Sequence, residues 1–142
     1  ELFPDDVGNE ESKGDGKLPI AGRVEKPWGH YSVIERGDGY QVKHIEVRPN
    51  QRISLQLHQR RCESWVIVQG VGMVTIGGFS REVKAFEKIF VPRGTQHRIE
   101  NIGQRTLILI EVGHGDYLEE DDILRLQDDY GRVYVPGLEA VY

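Results

Sequence analysis

From about Val24 onward, short runs rich in Val, Ile, Tyr and Thr alternate with turn residues. Runs of this length and composition suit strands. They predict strands near 30–36, 40–48, 52–58, 64–69, 71–76, 79–85, 88–91, 96–101 and 105–113. Gly77-Gly78, between two such runs, is a two-residue hairpin signal, and Gly37-Asp38-Gly39 marks another turn. Only 119–129 reads as helix or turn, and it is too short to set the class. Many short strands at this spacing predict an all-β sandwich or barrel. The first 20 residues have another texture, acidic and Gly-rich, and are expected to form a flexible arm. Residues 21–142 are expected to be one barrel with a short C-terminal helix or turn and a tail.

Bulk properties narrow the function classes. A length of 142 residues fits one domain with a sizeable core. The net charge of -5 provides no basic footprint, so nucleic acid and anionic membrane are not expected partners. No apolar run approaches the roughly 20 residues of a membrane span. Cys62 is the only cysteine, so no internal disulfide forms and a cytoplasmic setting is expected.

Against this plain background, two blocks concentrate metal-ligand chemistry: Asn50 to Gly70, and Pro92 to Asn101. Strand side chains alternate, so Gln56 and His58 share one face, with Ile53, Leu55 and Leu57 expected on the other. Glu63, Trp65 and Ile67 share a face of the following strand, and Cys62 points away from it. A neighbouring antiparallel strand brings Glu63 near His58. His97 follows Pro92-Arg-Gly94, a sharp entry into another strand. Taken singly, each of these residues is more often a surface or satisfied core group than a ligand. Together Gln56, His58, Glu63 and His97 offer two imidazoles and two oxygens for one divalent cation. Buried without a ligand, they would leave costly unpaired polar groups. Ligands of this kind suit Zn²⁺ first, with Mn²⁺, Co²⁺, Ni²⁺ and Fe²⁺ also accommodated.

The two blocks resemble the cupin motifs, G-x5-H-x-H-x(3,4)-E-x6-G and G-x5-P-x-G-x2-H-x3-N. Asn50 and Phe86 stand at the leading glycine positions, and Gln56 replaces the first histidine. Gln-x-His is the variant found in phosphomannose isomerases. A closer likeness runs from about 22 to 133, through Lys26-Pro-Trp-Gly-His-Tyr31, Ile53-Ser-Leu-Gln-Leu-His58, Arg61-Cys-Glu-Ser-Trp65 and Asp121-Asp-Ile-Leu-Arg125. These segments are similar to the type II mannose-6-phosphate isomerase domain. In that family the cupin usually follows a mannose-1-phosphate guanylyltransferase domain. The likeness covers the cupin part alone, so the resemblance implies isomerase chemistry for these residues, and guanylyl transfer is not expected of them.

The implied reaction interconverts mannose 6-phosphate and fructose 6-phosphate through an enediolate at the metal. The sugar phosphate calls for cations. Lys43, in the family-like segment Tyr40-Gln-Val-Lys43, and Arg98, in the second block, are the candidates, with solvated strand-face charges as the competing reading. His44 and Glu100 are weak candidates for the general base. Trp28 and Trp65 read as core anchors, and His30 and His114 as surface or edge residues. Gln59, Arg60 and Ser64 stand where the family commonly carries histidines. Those departures favour the alternative of a non-catalytic sugar- or metabolite-binding cupin. A third reading, an oxygenase-like iron cupin, sits less well with Gln56. The Ile53/Leu55/Leu57 face and the tail from Val133 predict a homodimer.

Overall fold

The computed structural model describes residues 22–132. The expected arm and the tail from Val133 lie outside them. The described residues form eleven strands: β1 (Val24–Lys26), β2 (Gly29–Gly37), β3 (Tyr40–Val47), β4 (Leu55–Leu57), β5 (Arg61–Gln69), β6 (Val71–Ile76), β7 (Phe79–Lys84), β8 (Lys88–Val91), β9 (His97–Asn101), β10 (Leu107–Gly115) and β11 (Leu124–Gln127). Two antiparallel sheets result, ordered β1-β2-β3-β10-β5-β8 and β11-β4-β9-β6-β7. This is the all-β architecture that the alternation predicts. No helix of the described residues is long and apolar enough to cross a membrane.

Period-two burial explains how the sheets close on one core. Along β5, Arg61, Glu63, Trp65 and Ile67 are buried, while Cys62, Ser64 and Val66 are only partly covered. Along β3, Gln41, Lys43, Ile45 and Val47 take the inner face. The apolar inner residues, among them Val47, Ile67, Leu107 and Leu109, make one cluster with Trp28 and Trp65. Polar inner residues are therefore brought to one region of an otherwise apolar interior.

The turns match their residues. Gly77-Gly78 closes β6 onto β7 with Ile76 paired to Phe79, and Gly77 takes φ +59°. Asn50 and Phe86, the two positions at which the cupin motifs carry glycine, both adopt left-handed backbone, at φ 63° and 71°. The geometry that favours glycine is thus retained by side chains that tolerate it less well, Asn better than Phe.

Two expectations need correcting. The 52–58 segment is not one continuous strand: only Leu55–Leu57 is, and Arg52 makes an isolated bridge to Glu100. Ile53 consequently turns inward and is buried, away from the half-buried Leu55 and Leu57. The 119–129 segment is not a helix. It is a turn followed by β11, which pairs with β4 through Leu124 to Leu57 and Arg125 to Gln56. Asp122 fixes that turn, its carboxylate accepting from the Gln59 and Arg60 amides at 3.0 and 3.0 Å. Acidic residues in this run cap backbone rather than begin a helix.

Candidate metal centre and adjoining cavity

Three strands deliver the candidate ligands. Gln56 on β4 lies directly across from His97 on β9, which puts both side chains on one sheet face. His58 leaves the end of β4, and Glu63 comes from β5 in the facing sheet. His58, Glu63 and His97 are buried, and one ligand atom from each lies within 4.8 Å of the others. Glu63 Oε1 is 3.1 Å from His58 Nε2, and its Oε2 is 3.8 Å from His97 Nε2. Gln56 lines the same cavity, and its Oε1 accepts from Ser54 Oγ at 2.6 Å.

Both imidazoles are held by their Nδ1 atoms. His58 Nδ1 donates to the Asp122 carbonyl at 2.6 Å, and His97 Nδ1 to the Thr95 carbonyl at 2.9 Å. That turns each Nε2 toward Glu63. His97 Nε2 is buried and has no hydrogen-bond partner among the described residues. Such an orphaned acceptor is costly unless a ligand takes it. Carbonyl-oriented imidazoles beside a buried carboxylate are the support that a metal site needs, so the donors fit a divalent cation.

The electrostatics agree. Burial would raise the Glu63 carboxyl, but the hydrogen bond and charge of His58, with His97 and Arg61, hold it well below the usual carboxylate range. Burial lowers His97 and keeps the imidazole neutral, against the opposing pull of Glu63. An ionised carboxylate and a neutral imidazole are the forms that bind metal.

The cavity extends from Gln56, His58 and Glu63 over Trp28, Tyr31 and Ile53, with about 640 Å³ of empty space, part of it open to solvent. Lys43 lines it, buried, and pairs with Glu120; its ammonium lies 4.5 Å from the Tyr31 ring centre. Arg98 does not line it. Its Nε donates to the Ile53 carbonyl at 2.9 Å, and its other nitrogens reach Gln127 at 3.3–3.4 Å. His44 and Glu100 alternate onto the outward faces of β3 and β9 and line no part of the cavity. Gln59, Arg60 and Ser64 likewise lie outside it. Trp28 and Trp65 are core residues, as expected, and both also face the cavity.

Several cavity residues escaped sequence reasoning. Arg61 donates to Glu63 Oε1 at 3.1 Å and approaches His58 Nε2 at 3.3 Å. Its signal was available: two positions before Glu63, it shares that residue's face. Glu111 on β10 sits opposite Lys43 on one side and Trp65 on the other. None of the ion pairs among the described residues includes Glu111. Burial, then the charge of Glu63, pushes its carboxyl up to about 7, against the opposing pull of Lys43 and Arg61. Glu111 gave no sequence signal, because a carboxylate inside an apolar run marks an inner position only once the strand's partners are known.

The family model described as mannose-6-phosphate isomerase C-terminal matches residues 13–128. The chain belongs to this family. A mannose-1-phosphate guanylyltransferase of Escherichia coli (strain K12) is 46% identical over 126 residues, covering 87% of this chain and 26% of that protein. The alginate biosynthesis protein AlgA of Pseudomonas aeruginosa is 42% identical over 118 residues, covering 83% of this chain and 24% of that protein. The chain thus spans about a quarter of the length of these relatives. Among solved structures, the cupin domain of Schizosaccharomyces pombe Cnp3 superposes with a TM-score of 0.59 at 19% identity, over 70% of this chain and 72% of that one. At that identity the likeness concerns the fold, and it is the cupin fold expected from the two motifs.

Proposed function

We propose that this cupin is a metal-dependent aldose–ketose isomerase that interconverts mannose 6-phosphate and fructose 6-phosphate. The observation that carries the reading is the convergence of His58, Glu63 and His97, with Gln56 paired across from His97 and lining the adjoining cavity, and with the His97 Nε2 lone pair unclaimed. A divalent cation held there, Zn²⁺ first and Mn²⁺, Co²⁺, Ni²⁺ or Fe²⁺ otherwise, would polarise the sugar carbonyl and stabilise the developing oxyanion. The remaining chemistry falls to side chains. Glu111, cavity-facing and outside any ion pair of the described residues, is suited to take the C2 proton and return it to C1. The electron pair of the broken C–H bond becomes the C1–C2 double bond of the enediolate. Lys43 and Arg61 flank Glu111 and balance the charge that it acquires and loses.

The E. coli and P. aeruginosa relatives are named for guanylyl transfer and alginate biosynthesis, which supports a role in supplying sugar phosphate for polysaccharide assembly. We place that role in the cytoplasm. The non-catalytic alternative drew on Gln59, Arg60 and Ser64, and their position outside the cavity removes that ground. We also propose a homodimer, through the outer face of the six-stranded sheet. Ile34, Val68 and Phe90 are 42%, 46% and 59% exposed there. The direct test is to reconstitute the protein with each of these metals and assay fructose 6-phosphate formed from mannose 6-phosphate. Turnover with at least one supports the reading; none with any metal overturns it.

A further inference from the structure

The cavity has a second pole. Five cationic and three anionic side chains line it, in a chain whose net charge is -5. Most cations in and around it are matched. Arg61 pairs with Glu63, Lys43 with Glu120, and Arg132 with Asp128 through two contacts of 2.8 and 2.9 Å. Lys26 and Arg125 have no carboxylate in an ion pair among the described residues. Arg125 Nε is also buried and donates no hydrogen bond to them.

These cations converge from separate parts of the chain. Lys26 ends β1, Arg125 lies on β11, and Arg132 follows it. Arg125 pairs with Gln56, which pairs with His97, so the three stand in a row across β11, β4 and β9. Two strand spacings separate the first from the last, roughly 10 Å. That is the scale of a hexose phosphate from its reacting carbons to its phosphorus. Burial lowers the Lys26 ammonium, and Arg125, Arg132 and Lys43 lower it further, against Glu120. Burial and then Arg132 lower Arg125. The cations repel one another, and a dianion between them would relieve that repulsion.

We propose that Lys26 and Arg125, with Arg132 behind them, form the subsite that binds the phosphate group of the substrate. Arg125 supplies the directed donor, Lys26 the point charge. Arg98 takes no part, since its donors are committed to Ile53 and Gln127. The assignment rests on the sugar-phosphate reading for the identity of the sugar, but not for the anion chemistry.

Calorimetric titration separates the two. Mannose 6-phosphate, inorganic phosphate and mannose are titrated into metal-loaded wild type, Lys26→Gln, Arg125→Gln and Arg125→Lys. Both phosphates should bind wild type, more weakly as salt rises, and mannose far more weakly. Each Gln variant should weaken both phosphates by about tenfold or more, with metal content unchanged, and Arg125→Lys should recover part of the loss. Metal content and circular dichroism verify that each variant is folded, and the three variants report independently. Phosphate binding that is equal in wild type and all variants overturns the subsite, even if isomerase turnover is found. Phosphate binding lost in the variants, with no turnover in wild type, keeps the subsite and sinks the isomerase reading.

Discussion

Replacing Arg98 should cost stability and leave substrate affinity intact. The Arg98→Met variant keeps most of the apolar stem and removes every donor. The Nε bond to the Ile53 carbonyl, at 2.9 Å and buried, is charge-assisted and well formed. The contacts to Gln127, at 3.4 and 3.3 Å, are long and contribute less. A hydrogen bond involving a charged group is worth about 1.5–3 kcal/mol, and an abandoned buried carbonyl costs a similar amount. These overlap, so the expected loss is about 2–3 kcal/mol. Urea unfolding at pH 7 measures it as a lower midpoint at constant slope. The Michaelis constant for mannose 6-phosphate, measured well below the unfolding midpoint, should stay within about twofold of wild type, a shift of under 0.5 kcal/mol. Unchanged stability with a tenfold rise in that constant would refute the reasoning and return Arg98 to the phosphate.

Three further outcomes follow from the same geometry. Phe86 is 83% exposed at φ 71°, so Phe86→Gly gives up little packing and relieves left-handed strain of roughly 1–2 kcal/mol, less the entropy cost of glycine. A net gain near 1 kcal/mol in chemical denaturation is expected, and a loss would show that the ring is held by contacts. Glu111 has a folded-state pKa of about 7, above its ordinary 4.5, so its contribution to stability is full below pH 4.5 and is lost as pH rises through 7. In chelator-treated protein, Glu111→Gln should therefore gain on wild type between pH 5 and 8 by on the order of 3 kcal/mol; a pH-independent difference would contradict this. Sedimentation equilibrium at micromolar concentration should give a dimer mass for wild type and a monomer mass for Phe90→Glu, whereas monomeric wild type would rule out the proposed interface.

The strand pattern was legible because each sheet has one buried face, and alternation survives in sequence wherever that holds. β1 and β11 were missed: β1 is three residues long, and β11 follows an acidic run that resembles a helix start. His58, Glu63 and His97 could be read because a metal site imposes both residue type and spacing. The phosphate end could not, because cations are abundant on any surface. Arg98 and Lys43 look alike in sequence, and only the folded chain has Arg98 donating to the Ile53 and Gln127 carbonyls while Lys43 faces the cavity. Ile53 was misplaced for a related reason: β4 begins two residues after it, so the period does not extend to it. Gln59, Arg60 and Ser64 lie near the ligands in sequence, yet the exposed turn and the outward side of β5 remove them from the cavity.

The central claim is that one metal, held by Gln56, His58, Glu63 and His97, makes this cavity an isomerase. Its most direct test is metal content by elemental analysis alongside fructose 6-phosphate formation, for wild type, Gln56→Ala and His97→Ala. The account predicts one divalent ion per wild-type chain with turnover, and parallel loss of both in folded His97→Ala, with Gln56→Ala weakened in both. Turnover that persists in metal-free His97→Ala, or a fully loaded wild type with no turnover, would contradict it.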